Sequence, residues 1–216
     1  MKRFFQNILI ILLALAMFAC SPISTATQGL EWTVQPTSAE TDHPLTTRTG
    51  NEEIDHILDV VANGDAQALQ SLTQFTNAKC TKQDGLGSPP KCRAGEAEGT
   101  PVEVLPFLGP EGNFLHKEEI DQWQGIDVSG LYAIYEVSPN AYSDENYPAG
   151  EYAILFTGKG NGPATSLRVS NGKIVRVDLI FENSSESLND WLQREATKVI
   201  LAPVTSWQKE TFVVYS

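Results

Sequence analysis

Helical patterns come first in this chain and strand patterns follow, and this order restricts the fold more than any other feature of the sequence. In residues 51–64 the apolar side chains have helical spacing and Asn63-Gly64 supplies a stop; they are Ile54, Ile57, Leu58 and Val61. Thr49 and Glu52 have the spacing of a capping box. Asp65 is suited to cap a second helix, whose inward stripe is Ala68, Leu69, Leu72 and Phe75. The short link between the two predicts a helical hairpin.

Strands are predicted after this hairpin. A third short helix over 116–124, ending at Gly125, is the only interruption that the pattern indicates. Runs of β-branched and aromatic residues indicate strands at 102–107, 131–137, 151–157, 165–169 and 174–181. Helices followed by such strands predict an α+β fold, in which the hairpin and the short helix pack on a curved antiparallel sheet.

The turn at Asn171-Gly172 decides how the last two strands pair. A two-residue loop would place Arg168 opposite Val175, whereas a three-residue loop, with Gly172 left-handed, places Leu167 opposite Val175. We prefer the three-residue loop. One face is then a continuous apolar wall, and Arg176 and Asp178 form an ion pair on the outer face, together with Ser166 and Arg168.

The N-terminus has the pattern of an export signal. Lys2 and Arg3 precede an unbroken apolar run over residues 8–19, which ends at Ala19 and Cys20. Such a run is too short for a membrane span, which needs about 20 residues, so residues 1–19 are predicted to be cleaved. Residues 17–20, Met-Phe-Ala-Cys, resemble the lipobox of bacterial lipoproteins. The resemblance implies lipidation of Cys20 and an extracytoplasmic, membrane-anchored location in the cell envelope; the alternative is an ordinary secretory signal with Cys20 unpaired.

Cysteine count supports the lipidated form. With Cys20 acylated, only Cys80 and Cys92 remain, in a compartment where disulfides persist. The Gly- and Pro-containing segment between them turns easily, so we expect the two to form a disulfide; the alternative is two separate buried thiols.

Charge and motifs exclude several functions. Lys+Arg 15 against Asp+Glu 27 gives a net charge of -12, which argues against nucleic acid as a partner. The three His and three Cys have no metal-type spacing, so we expect no metal site, and no motif indicates a cofactor. The GKGNG segment at 158–162 is not followed by a helix and is predicted to be a hairpin loop. Residues 20–50, rich in Ser, Thr and Pro, are predicted to form a flexible tether.

Two segments resemble the nuclear transport factor 2-like superfamily, in particular its SnoaL-like branch. They are NGDAQAL at 63–69 and NGKIVRVDLIF at 171–181. The resemblance covers residues 51–181 and implies a cone-like domain around a pocket, used by isomerases, cyclases and dehydratases and by domains without catalysis. It also implies that a homodimer is possible. Residues 182–216 lie beyond it and are predicted to form a C-terminal extension, with a helix over 188–200 and a strand over 211–215.

Family catalysts use an acid or a histidine inside the cone, and the weak candidates here are Glu136, Asp178 and His56. A buried carboxylate would have a raised pKa and could act as a base. Simpler interpretations are an exposed strand residue for Glu136, the outer-face pair for Asp178, and a solvated helix face for His56 beside two aspartates.

The loop over 138–150 is a candidate binding site. It contains Tyr142, Asp144, Glu145 and Tyr147, a mixture suited to a sugar, peptide or cation; the alternative is a solvated hairpin with its aromatic rings folded onto the domain. The sequence therefore predicts a membrane-anchored lipoprotein with a noncatalytic domain that binds a small molecule or an envelope protein. The alternative is a small-molecule isomerase, cyclase or hydrolase that uses a pocket carboxylate.

Overall fold

The computed structural model of the protein describes residues 42–85, 87 and 89–204. The helices are α1 (Glu52–Asn63), α2 (Ala66–Ser71), a 3-10 helix (Lys117–Gln122) and α3 (Ser185–Glu195). The strands are β1 (Thr76–Lys79), β2 (Pro101–Leu108), β3 (Asn113–His116), β4 (Val128–Val137), β5 (Tyr152–Gly158), β6 (Ala164–Ser170), β7 (Lys173–Ile180) and β8 (Ala196–Leu201). This is an α+β fold, as the order of the patterns predicts.

The eight strands form one mixed, open sheet in the order β1-β2-β7-β6-β5-β4-β8, with β3 on the free side of β2. The prediction of a wholly antiparallel sheet is wrong at one place, because β2 and β7 pair in parallel at Phe107–Val177 and Leu108–Asp178. β7 follows β6 in an antiparallel hairpin and lies beside β2 with the same direction, so the long connection between β2 and β7 returns the chain for a parallel pair. The short strands β1 and β3 are absent from the predicted elements.

The two N-terminal helices form at the predicted positions, but the second ends at Ser71, so Leu72 and Phe75 of its predicted stripe lie beyond it. The side-chain oxygen of Asn51 accepts hydrogen bonds from the amides of Glu53 and Ile54, so Asn51, and not Thr49, caps α1. Thr49 instead donates from its hydroxyl to Asp55 at 2.8 Å. Asp65 caps α2, as expected. Both helices pack their apolar residues onto one face of the sheet, where Ile54, Ile57 and Leu58 are fully buried.

The hairpin between β6 and β7 has a two-residue loop, so the predicted three-residue loop is wrong. Ser170 pairs with Lys173 and Val169 with Ile174. Asn171 and Gly172 both have positive φ, 49° and 68°, which is the turn whose twist matches that of paired strands. The additional residue lies in a β-bulge at Val175, and Leu167 consequently pairs with Val177.

The C-terminal extension covers the other face of the sheet. Leu188 and Leu192 of α3 pack there against strand residues that include Tyr132, Tyr135 and Leu155. The helix ends at Glu195 instead of reaching 200, and residues 196–201 pair with β4 as β8. Thr197, Val199 and Ile200 are β-branched, which favours a strand over further helix. The predicted strand over 211–215 lies outside the described residues.

The start of the described chain contacts the sheet. The backbone of His43 pairs with that of Leu131 in both directions, at 2.8 and 2.9 Å, and Leu45 packs against the helix-side core. Residues 42–50, assigned to the tether by their composition, therefore include positions that contact the domain. The signal, Cys20 and the rest of the tether lie outside the described residues.

Candidate functional site

A buried ionic cluster lies on the face of the sheet covered by α3. Arg168 on β6 and Arg176 and Asp178 on β7 have no exposed surface. One Asp178 oxygen accepts from Arg168 Nε at 2.6 Å, and the other accepts from Arg176 Nε at 2.6 Å. The prediction of an outer-face pair is therefore wrong, because residues beyond 181 and the 138–150 loop cover this face.

Both ends of the cluster are held by these covering segments. Glu195, at the end of α3, accepts from Arg168 Nη2 at 2.6 Å, and the carbonyl of Tyr142 accepts from Arg176 Nη1 at 2.9 Å. Burial on its own lowers the pKa of Arg168. The nearby phenol of Tyr135 and the carboxylates of Asp178 and Glu195 outweigh burial, so this pKa lies above its usual range. The guanidinium is therefore a permanent cation.

The three catalytic candidates lie in three different surroundings. Asp178 is bound by two guanidinium groups and is not available as a base. Glu136 is partly exposed on β4 and accepts from Lys198 Nζ at 2.8 Å. His56 is exposed on α1, as the solvated-face interpretation predicts. The structure does not bring these side chains together.

Of the four candidate residues in the loop over 138–150, three are exposed to solvent and one is buried. Tyr142 is exposed and donates to Asp144 at 2.7 Å, and Glu145 is exposed beside them. Asp144 also accepts the amides of Asn146 and Tyr147. Partial burial raises the pKa of Asp144. Hydrogen bonds from the Tyr142 hydroxyl and the two amides lower it by more, so the pKa lies below its usual value.

Tyr147 points into the protein. It is buried, and its ring lies 4.9 Å from that of Phe114 on β3. Burial raises the pKa of its phenol to about 12. Its hydroxyl has no hydrogen-bond partner among the described residues. This loop therefore contacts β3 and the ionic cluster, and of its four candidate residues Tyr142, Asp144 and Glu145 are accessible to a ligand.

Cys80 and Cys92 form a disulfide, as the cysteine count predicts. Their sulfur atoms are 2.01 Å apart and their Cα atoms 4.8 Å apart. Next to the bond, Thr81 and Lys91 form a backbone bridge. The amide of Thr81 donates to the Pro90 carbonyl at 2.8 Å, and the Thr81 carbonyl accepts from the amide of Cys92 at 2.9 Å. The disulfide thus fixes both ends of the 80–92 segment against the start of β2.

The 80–92 segment forms one wall of an open groove, which we call the aromatic groove. Its volume is about 720 Å³, and it lies where β2 and β7 end side by side. Phe107, Phe114, Leu179 and Phe181 are its large apolar lining residues, and Phe181 is 62% exposed. Pro89, Pro90, Pro110 and several glycines complete the walls, with Lys91, Glu111 and His116 as its ionisable residues.

A second groove of about 460 Å³ adjoins the aromatic groove. The two share Gly109, Pro110, Leu179 and Phe181, and the far wall of the second is α3, through Ser187, Asp190, Trp191 and Arg194. Sequence reasoning does not find either groove, because their residues come from β2, β3, β7 and α3 and from loops that adjoin them. The clustering of Gly and Pro at 85–90 and 109–112 is the one signal in the sequence.

Close packing fixes the floor of the aromatic groove. The Nε2 atom of His116 lies 3.0 Å from the carbonyl oxygen of Lys91, while its Nδ1 has no partner among the described residues. Gly112 has φ +59°, and a Cβ there would lie 2.6 Å from the Tyr147 hydroxyl and 2.9 Å from Gly87 Cα. Only glycine fits without a shift of backbone.

Comparison with protein-family models, with curated proteins and with solved structures finds no match for this chain. Within residues 42–85, 87 and 89–204, no group of three or more His, Cys, Asp or Glu side chains is placed to hold a metal ion. Over the same part of the chain, every helix is too short or too polar to cross a bilayer.

Proposed function

We propose that the protein is an exported bacterial lipoprotein, anchored to a membrane through Cys20 in the cell envelope, whose domain binds a ligand or an envelope protein without catalysis. The observation that carries the proposal is the aromatic groove, an open apolar surface whose wall is fixed by a disulfide. Apolar concave surfaces with a few polar groups are the usual binding sites of proteins. The disulfide supports export, because such bonds persist outside the reducing cytoplasm.

Binding accounts for the described side chains better than catalysis does. A SnoaL-like isomerase, cyclase or hydrolase would use a carboxylate that faces its substrate. Asp178 is neutralised by two arginines, and Glu136 is paired with Lys198 beside the edge of the sheet. The helical hairpin on one face of the sheet is compatible with the cone-like arrangement of the nuclear transport factor 2-like superfamily, which we keep as part of the proposal together with a possible homodimer.

Site-specific photocrosslinking in the producing bacterium tests the binding site. A benzophenone amino acid is placed at position 181 in the aromatic groove, at position 142 in the candidate loop, and at position 67, an exposed site on α2. We expect a discrete crosslinked product from 181 only. Crosslinks from 142 alone would assign binding to the loop instead, and equal yields at all three positions would refute a specific site.

A small ligand would escape detection by protein crosslinking, so a second measurement uses the fluorescent apolar probe anilinonaphthalene sulfonate. We expect saturable binding that is weakened by Phe181→Ser and unchanged by Tyr142→Ser, a matched removal of an exposed aromatic ring. Equal binding by both variants would refute the aromatic groove as an apolar site.

The anchor is tested separately. Mass spectrometry of the N-terminal peptide should find an acylated Cys20 as the first residue of the mature chain. In Cys20→Ser the N-terminal peptide should carry no lipid, because the thiol that would be acylated is absent. A wild-type mature N-terminal peptide without acyl groups would refute the lipid anchor while leaving the binding site untouched.

A further inference from the structure

The parallel pair of β2 and β7 stops before β7 does. The two strands pair as far as Leu108 and Asp178, whereas β7 continues to Ile180 in its pairing with β6. The next hydrogen bond of the parallel pair would run from the amide of residue 110 to the carbonyl of Leu179. Residue 110 is Pro, which has no amide, so β2 cannot extend the pair.

The carbonyl of Leu179 faces the side of β7 on which β2 ends. A Cβ built on Gly109 would lie 4.0 Å from the Leu179 carbonyl oxygen and 3.5 Å from Phe181 Cε2. None of the loop and turn hydrogen bonds between backbone groups in residues 42–85, 87 and 89–204 involves this carbonyl. The space beside residues 179–181, which we call the strand-end gap, therefore offers an acceptor to an added extended segment.

The two grooves described above meet at the strand-end gap. Leu179 and Phe181 line both of them, while Phe107 lines the aromatic groove and its neighbour Leu108 lines the second groove. Consecutive side chains of an extended chain point to opposite faces. A segment lying in the strand-end gap can therefore place one side chain in the aromatic groove and the next in the second groove.

The two grooves differ in their chemistry. The aromatic groove offers the exposed ring of Phe181 to an apolar side chain. The second groove has two exposed carboxylates, Glu182 and Asp190, and one guanidinium, that of Arg194, which lies 5.9 Å from the centre of the Trp191 ring. The excess of negative charge favours a basic side chain in the second groove.

We propose that the strand-end gap binds an extended peptide segment of a partner protein. One apolar side chain occupies the aromatic groove, the adjacent basic side chain occupies the second groove, and a peptide amide donates to the Leu179 carbonyl. Backbone hydrogen bonds provide affinity in this mode of recognition, and pockets for alternate side chains provide specificity. The proposal rests on the proposed function, because it uses the same aromatic groove, and it names the class of partner.

Selection of displayed random octapeptides on the purified full chain, with its disulfide intact, tests the proposal. We expect enriched sequences with an apolar and a basic residue at adjacent positions. Their binding should weaken about tenfold in Phe181→Ser, which removes the shared ring. It should weaken about two- to fivefold in Asp190→Asn, the range of an exposed ion pair. Asp121→Asn, the same change on an exposed carboxylate outside both grooves, is the matched control and should leave binding unchanged.

Methylation of the amide nitrogens of an enriched peptide, one at a time, tests the extended conformation. The amide that meets the Leu179 carbonyl should lose its hydrogen bond, and binding should weaken about tenfold. The amides on either side of it point away from this edge, so their methylation should leave binding unchanged. Equal effects at every amide would overturn docking of an extended backbone.

The fluorescent apolar probe separates failure of this proposal from failure of the proposed function. Probe binding that Phe181→Ser weakens, without enrichment of any peptide, would overturn the peptide proposal and leave the aromatic groove as a site for a small apolar ligand. Enriched peptides that bind Phe181→Ser as tightly as the wild type would also overturn it, because they would bind elsewhere. Probe binding that Phe181→Ser leaves unchanged would refute both proposals.

Discussion

Removal of Asp178 should destabilise the protein far more than removal of any exposed carboxylate. Asp178 accepts three hydrogen bonds from two guanidinium groups, at 2.6, 2.6 and 3.1 Å, in a place with no exposed surface. In Asp178→Ala, Arg168 keeps Glu195, whereas Arg176 keeps only the carbonyl oxygens of Tyr142 and Tyr147. Leaving a buried charge without its partner costs about 3–5 kcal/mol.

The matched control is Glu136→Ala. Glu136 is also a strand carboxylate in a 2.8 Å ion pair, but the side chains of Lys198 and Glu136 are 68% and 38% exposed. Exposed pairs contribute only about 0–1 kcal/mol, because water screens them. The two variants therefore differ in burial and not in the type of interaction.

Urea unfolding followed by tryptophan fluorescence measures both free energies of unfolding. A loss of about 4 kcal/mol corresponds to a fall in Tm of about 8–16 °C for a domain of this size. Asp178→Asn, which preserves shape, extends the measurement if the alanine variant does not fold. The combined replacement Arg168→Met, Asp178→Leu and Arg176→Met should recover most of the loss, because it removes the charges together. Equal costs for Asp178→Ala and Glu136→Ala would refute the assignment of the cluster as buried and structural.

Three further predictions concern the groove and helix α1. The double variant Cys80→Ser, Cys92→Ser should lower the free energy of unfolding by about 3 kcal/mol, measured by urea titration. It should also weaken binding of the apolar probe in the aromatic groove, measured by probe fluorescence. Gly112→Ala should cost about 1–3 kcal/mol more than Gly160→Ala: both glycines have φ near +60°, but a Cβ at 160 meets nothing within 4 Å, so equal urea midpoints would contradict the packing. Burial raises the pKa of Asp55, but hydrogen bonds from Thr49 and Gly50 and the charge of Arg48 lower it by more, so it lies below its ordinary 3.8. The ionised Asp55 therefore stabilises the folded protein above pH 3.8, and this stabilisation is lost as the pH falls below that value. Asp55→Asn should flatten this acid limb of stability in urea titrations across the range.

The sequence patterns predict the main strands because each has a long, regular apolar repeat. β4 to β7 all appear within a few residues of their predicted bounds. The short strands β1 and β3 lack such a repeat, since they have only four residues each. The sequence pattern predicts a helix over most of β8, because no helix stop signal follows Leu188 and Leu192 before residue 201.

The largest error, at Arg168, Arg176 and Asp178, has a tertiary origin. Alternation along a strand places these three residues together on the face opposite the apolar wall, and that placement is confirmed. Alternation does not show whether that face is exposed to solvent. The burial of this face depends on α3 and the 138–150 loop. They pack on it through individual tertiary contacts, such as that of Glu195 with Arg168, which no local sequence pattern predicts. The aromatic groove is missed for the same reason, because no segment alone contains its shape.

The parallel pair of β2 and β7 has a consequence for the time at which the protein can fold. Phe107 and Val177 are neighbours in the sheet but 70 positions apart in the chain (177 minus 107), so the pair closes a long loop before it gains stability. β4, near the middle of the chain, also pairs with β8, the last strand of the described residues. A chain emerging N-terminus first from a ribosome therefore cannot complete its sheet until β8 has emerged.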